Sequence, residues 1–312
     1  MKESQHIYRR RRLTLLAVLA LLALGAAVLL GSGGGDGEPR RTAAEGSGPA
    51  APVQLPRGGR SILPEFRVVA YYGAPQSREL GALGIGSPDG AARRLARQAD
   101  SYGRKRRPAL PALELITVIA NADPGDDGKY RSRQKDAVIG RYLRAARRAK
   151  ALLLLDIQPG RSDFFTEATR LEKWLEQPDV GLALDPEWRV RAGEVPGQII
   201  GHVEAREVNA TSAWLAQLVA SEKLPEKLFV VHQFTDDMVD ERALKAREGL
   251  ATVLNVDGFG NQAVKKAKYR DFTRQAPDFY HGFKLFYEED TDMMRPGEVM
   301  RLRPRPVLVV YE

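Results

Sequence analysis

Val180-Gly181-Leu182-Ala183-Leu184-Asp185-Pro186-Glu187-Trp188 reads as a buried strand that ends in two carboxylates. Its first five residues are all small or apolar, with no polar residue at alternate positions. That is the signature of a strand covered on both faces, as in a parallel sheet. Residues two apart on a strand share a face. Asp185 and Glu187 are therefore expected to project together from its C-terminal end.

Working outward, seven more runs of the same kind appear, at 67–72, 113–120, 151–157, 227–231, 251–256, 282–287 and 306–311. Helical patterns fill the gaps at 91–102, 136–149, 164–175, 205–218, 237–247 and 262–274, with a short one near 293–300. Asp89, Asp163 and the pair Thr235-Asp236 stand where helix caps belong. Eight β units separated by helices over about 250 residues predict a (β/α)8 TIM barrel. A doubly wound open sheet is the competing architecture, but the first turn, Gly73-Ala74-Pro75-Gln76-Ser77, is no phosphate fingerprint. The chain stops at the end of the eighth strand, so the segment before Arg67 is expected to stand in for the last outer helix.

The 62 residues before the barrel differ in composition. Residues 1–12 are basic, with Arg9 to Arg12 as a block, and Leu13 to Leu30 form an uncharged apolar run. Eighteen residues at ~1.5 Å rise give ~27 Å, enough for a bilayer core. The arginines should stay inside, leaving the remainder extracytoplasmic on a single-pass signal anchor in the cell membrane. Cleavage, giving a secreted protein, is the alternative. Residues 31–62, rich in Gly, Ala, Pro and Ser, read as a disordered linker, and the barrel domain is assigned to 63–312.

There is no cysteine, which excludes disulfides, a thiolate metal site and lipid anchoring through cysteine. The net charge of +8 is concentrated at the start. Residues 1–62 hold nine Lys and Arg against four Asp and Glu; the other 250 hold 39 against 36. A domain so nearly balanced offers no concentrated basic face for nucleic acid. Oligomeric state is not encoded in any pattern here.

In a barrel of this type, chemistry sits at the C-terminal ends of the strands. Those ends offer Tyr71 and Tyr72, then Asn121 and Asp123, Asp156 and Gln158, Asp185, Glu187 and Trp188, His232 and Gln233, Asn255 and Asp257, Tyr287 and Glu288, and Tyr311 and Glu312. Acids and amides recur there with aromatic neighbours, which suits a sugar-binding cleft. His202 and Asn209, in the long stretch after the fourth strand, are expected to line it. Gly201-His202-Val203-Glu204 lacks a second cluster to complete a metal site. Asp123 to Gly128 lacks the ligand alternation and distal Glu of a calcium loop. Neither a metal nor a cofactor is expected.

The segment 180–188 resembles the fourth strand of family 18 glycoside hydrolases (chitinase-like), which carries D-x-x-D-x-D-x-E. Glu187 matches that family's general acid and Asp185 the assisting Asp, while Ala183 and Val180 replace the two earlier acids. On the sixth strand Val256-Asp257 keeps the family's Asp and loses its Tyr. The resemblance implies a glycoside hydrolase acting on cell-envelope polysaccharide. Glu187 and Asp185 would be catalytic, with Asp257 or Asp156 as the base or nucleophile across the barrel. The alternative it leaves is a non-catalytic, glycan-binding scaffold with a degenerate barrel.

Overall fold

A computed structural model describes residues 52–312. Eight parallel strands close into a barrel: β1 (Arg67–Gly73), β2 (Ala109–Ala120), β4 (Leu152–Ile157), β5 (Val180–Leu184), β6 (Lys227–Gln233), β7 (Leu250–Val256), β8 (Tyr280–Leu285) and β9 (Leu308–Tyr311). Each pairs with the next, and β9 pairs back with β1 through Val68↔Leu308 to Tyr71↔Tyr311. The short β3 (Arg131–Arg133) runs antiparallel to the end of β2, and so lies outside the barrel proper. All eight apolar runs of the sequence are barrel strands.

Side chains alternate between two cores. Val68, Ala70, Leu110, Ala112, Leu154, Ala183, Leu228, Val230, Ala251, Val253, Leu308 and Val310 fill the interior. The opposite parity, including Val69, Leu113, Leu155, Leu182, Phe229 and Val309, faces the helices. Those helices are α1 (Pro88–Asp100), α2 (Asp136–Arg148), α3 (Phe164–Thr169), α4 (Glu172–Leu175), α5 (Ala205–Ser221), α6 (Gln262–Gln275) and α7 (Pro296–Val299). Ser87, Asp163 and Asn261 cap α1, α3 and α6 by accepting a backbone N–H.

Two expectations fail for identifiable reasons. The helix at 237–247 does not form; only a 3-10 turn, Glu241–Ala243, is present. Tertiary bonds hold this stretch in another shape. Gln233 donates to Glu241, while Asn209 of α5 donates to Ala243 O at 2.8 Å and accepts from Lys245 N at 2.8 Å. The segment before β1 is not an outer-wall substitute either. Leu55, Ile62, Leu63 and Phe66 belong to the interior core and plug the N-terminal end of the barrel. Arg57 donates to Ala109 O at 2.7 Å, and Arg60 to Leu224 O at 2.8 Å; both carbonyls lie at the floor. Ordered contacts thus reach into residues 53–62, part of the stretch that composition gives to the linker.

No helix among the described residues is long and apolar enough to cross a membrane. The expected anchor at 13–30 and the basic tail before it lie outside the described residues, as does most of the linker.

Candidate active site

The interior parity that is apolar through the lower barrel turns polar at the C-terminal end. Tyr72 of β1, Glu114 of β2, Asp156 of β4, Asp185 after β5, His232 of β6, Asn255 of β7 and Lys284 of β8 continue the inward-facing positions. Gln158, Asp257 and Glu312 sit one step above. None of the first seven is more than 6% exposed. Gly282 makes room for this layer: a Cβ there would collide with Asn255 Oδ1. A β-bulge between Ile116 and Val118 breaks the β2–β4 register beside Asp156, and Thr117 Oγ1 donates to Asp156 O at 2.8 Å.

His232 is the hub. Its Nε2 lies 2.9 Å from Glu114 Oε1 and 3.9 Å from Asp156 Oδ2. Its Nδ1 lies 3.3 Å from Asp257 Oδ2 and 3.1 Å from Asn255 Nδ2. Lys284 is clamped by Asp257 Oδ2 at 2.9 Å and Glu312 Oε2 at 2.8 Å, with its ammonium 3.9 Å from the centre of the Tyr72 ring. Tyr72 joins this group to Asp185: its hydroxyl donates to Asp185 Oδ2 at 3.2 Å and accepts from Gln158 Nε2 at 2.9 Å. Gln158 is itself fixed by Ala120 N, which donates to its Oε1 at 3.2 Å.

This packing drives the titration of the groups apart. Burial, with Glu187 as the nearest like charge, pushes the Asp185 carboxyl up to about 8. Burial and Asp185 hold Asp156 well above the usual carboxylate range. Burial and the neighbouring carboxylates likewise raise the Tyr72 phenol. Burial also opposes ionisation of Asp257, but Lys284 and His232 outweigh it and hold that carboxyl far below its ordinary value. Burial opposes charge on His232 and Lys284 as well; Glu114 and Asp257 overcome it for the imidazole, and Asp257 and Glu312 for the ammonium. An ionic pair, Lys284 with Asp257, thus stands beside two carboxyls, Asp156 and Asp185, that hold their protons more tightly than usual.

A cavity of about 610 Å³ adjoins this network on the β6–β7 side. Gly258 and Phe259, next to Asp257, line it with Phe234, His202 and Lys268. Lys268 donates to Phe234 O at 2.8 Å, and burial lowers its ammonium to about 8. The volume suits a small molecule.

The structure gathers Asp156, Asp185, Asp257, Tyr72, Gln158, His232 and Asn255 into one layer, and it puts His202 in the adjoining cavity. Other predicted residues go elsewhere. Glu187 belongs to the 3-10 turn Pro186–Trp188 and is half-buried above Asp185; Trp188 is buried in the same turn. Gln233 faces outward to Glu241. Asn209 braces the 243–245 loop and does not line the cavity. Tyr71 and Tyr311 have the outward parity and pack under α1: Tyr311 Oη lies 2.7 Å from Tyr102 Oη and accepts from Gln98 at 2.8 Å. Tyr287 stacks on Tyr311 at 5.3 Å, and Glu288 pairs with Arg78 at the surface. The expected aromatic sugar platform is therefore an outer-wall aromatic cluster.

Glu312 was noted in the sequence only as a strand-end acid, and two residues of the layer were not singled out at all: Glu114 and Lys284. Those two did leave a signal. Leu113-Glu114-Leu115 and Phe283-Lys284-Leu285 place single charges inside strands buried on both faces, where no solvent-facing side exists to receive them.

No family model matches the chain, and no curated protein matches it. Among the solved structures that match is a crystal structure of 2,3-dimethylmalate lyase, described as a PEP mutase/isocitrate lyase superfamily member. It is 11% identical, covers 80% of this chain and 77% of its own, and superposes with a TM-score of 0.44. The neighbour found is a lyase where the fourth-strand motif led us to expect a chitinase-like hydrolase. The resemblance of 180–188 to family 18 and the glycoside-hydrolase function drawn from it are withdrawn, together with the roles of Glu187 and Asp185 as a glycosidase pair.

Proposed function

We propose that this barrel is an enzyme that moves protons on a small oxygen-bearing substrate at the C-terminal end of the strands. The observation that carries the reading is the Tyr72–Asp185 pair. A buried carboxyl, pushed up to about 8 by burial and Glu187, is hydrogen-bonded to a phenol within a layer that holds the Lys284–Asp257 ionic pair. An acid–base catalyst works best when its pKa lies near the operating pH. Strongly shifted groups buried at this end of a barrel mark functional sites more often than structural ones. A layer kept only for stability would be cheaper to build from apolar side chains, because buried charges seldom repay their desolvation.

In this reading Asp185 takes and returns the proton. Tyr72, oriented by Gln158, relays or steadies it. Lys284, fixed between Asp257 and Glu312, supplies a positive field for negative charge developing on a substrate oxygen. The cavity beside Gly258 admits the substrate. We place the barrel outside the cytoplasm in this proposal, on the charge pattern of residues 1–30 alone; a reporter fused to the C-terminus and active only after export checks that.

Deuterium wash-in tests the chemistry without knowledge of the full reaction. Wild type is incubated in D2O with small hydroxy acids, keto acids and polyols, and NMR follows exchange of their C–H groups. Exchange with at least one compound is expected, lost in Asp185→Asn and reduced in Tyr72→Phe. If no compound exchanges, or if Asp185→Asn exchanges as fast as wild type, the reading fails.

A further inference from the structure

We propose that Glu114, Asp156 and His232 form a binding site for one divalent transition-metal ion in the centre of the polar layer. This goes beyond the acid–base reading, because the ion is placed by geometry and read out by binding, not turnover.

The three side chains come from β2, β4 and β6, and one ligand atom from each lies within 4.8 Å of the others. All three residues are at most 1% exposed. Among the described residues, Glu114 Oε2 and both carboxylate oxygens of Asp156 have no hydrogen-bond partner. A buried acceptor without a donor costs about 1–3 kcal/mol, more when charged, and native interiors rarely tolerate one. Three such oxygens on the two carboxylates that flank one imidazole is a stronger anomaly than any one alone. A cation bound by all three residues satisfies them together. Two carboxylates also neutralise its charge, which a dry interior requires.

The surroundings match what a metal-bound histidine needs. A ligating imidazole normally gives its other N–H to a carboxylate or carbonyl, which fixes the ring. Here Nε2 points to Glu114 and Asp156, while Nδ1 faces Asp257 Oδ2 at 3.3 Å and Asn255 Nδ2 at 3.1 Å; an ion on Nε2 selects the tautomer in which Nδ1–H donates to Asp257. Asp257 is in turn held by Lys284 and by Gly258 N, which donates to its Oδ1 at 2.7 Å. Donors bound at roughly 2.0–2.2 Å to one ion sit about 3 Å or more from each other. The 2.9 Å Glu114–His232 separation and the 3.9 Å to Asp156 both fall in the range that two donors on one such ion span, about 2.9–4.2 Å from cis to trans. One imidazole with two carboxylates suits Mn²⁺, Fe²⁺ or Zn²⁺ better than Ca²⁺ or Mg²⁺, which favour all-oxygen sites.

The experiment uses the full chain in detergent, stripped with a chelator and dialysed. Mn²⁺ and Zn²⁺ are titrated separately by calorimetry, with elemental analysis after gel filtration. About one ion per chain and a rise in Tm are expected. Glu114→Gln/Asp156→Asn should abolish binding, and Asp257→Asn should weaken it about 10- to 100-fold. Where the double variant does not fold, Asp257→Asn and the absorption of the Co²⁺-loaded wild type, expected to report nitrogen and oxygen ligands, decide. No saturable binding to wild type, or full affinity in Asp257→Asn with no histidine signature, overturns the proposal. Metal bound without deuterium wash-in would leave the site standing and remove the acid–base function; wash-in by protein proven metal-free would do the reverse.

Discussion

Asp185→Asn should make the protein more stable and less active, and the gain should grow with pH. Asp185 is 3% exposed, and burial plus Glu187 lift its carboxyl to about 8. An unfolded chain releases that proton near pH 4. The folded state therefore holds one proton more than the unfolded state between about pH 4 and 8. A group whose folded pKa is raised contributes most below its unfolded pKa, and that contribution is lost as pH climbs to the folded value. Each unit is worth about 1.36 kcal/mol, so by pH 7 the carboxyl has cost the fold about 4 kcal/mol relative to a neutral isostere. Relaxation around the site trims this to about 2–4 kcal/mol, or roughly 5–15 °C in Tm for a domain of this size. Asn can still accept from Tyr72, so the bond at Oδ2 survives. Urea unfolding of chelated wild type and variant at pH 4.5, 5.5, 6.5 and 7.5 measures the difference directly. It should be near zero at the acid end and widen by about 1 kcal/mol per unit. A difference that stays flat, or narrows with pH, would refute both the raised carboxyl and the claim that Asp185 is retained at the expense of stability.

Glu167 is fully buried and receives Arg131 at 2.8 Å and Arg133 at 2.6 Å, tying β3 to α3. Glu167→Ala should cost roughly 3 kcal/mol, because Arg133 loses its carboxylate and Arg131 keeps only Asp127; urea midpoints report it, and a change under 0.5 kcal/mol contradicts the assignment. Lys227 sits at the barrel floor and donates to Gln177 O and Val180 O, both at 2.8 Å, with burial lowering its ammonium to about 7. Its folded pKa lies below its unfolded value, so the unfolded chain binds more protons between about pH 7 and 10 and stability from this group rises with pH there. Lys227→Met should abolish that rise; equal slopes for variant and wild type from pH 7 to 9.5 would show the amine to be unperturbed.

The strands were legible in the sequence because a parallel barrel buries both faces of each one, and every strand then becomes a continuous apolar run. Most helices were legible through their period; of the expected caps only Asp163 serves, since Ser87 rather than Asp89 caps α1 and no helix follows Thr235-Asp236. The stretch 237–247 was misread because its helical pattern is local, whereas the bonds from Asn209 and Gln233 that shape it come from other elements. The same limit applied to function. Sequence could mark Asp156, Asp185, His232, Asn255 and Asp257 as strand-end polar groups, since chain order and parity suffice for that. It could not separate Tyr72, which faces inward to Asp185, from Tyr71, which faces outward to Tyr311; the two are adjacent in sequence and differ only by which side of the closed sheet each occupies. Nor could it bring Glu114 and Lys284, 170 positions apart and both within strands, into one charged layer. The chain by itself determined eight strands in order and the polarity of their ends, because both follow from local hydrophobic pattern. Barrel closure alone decided which of those polar groups meet, because strand stagger and facing are set by pairing across the whole sheet.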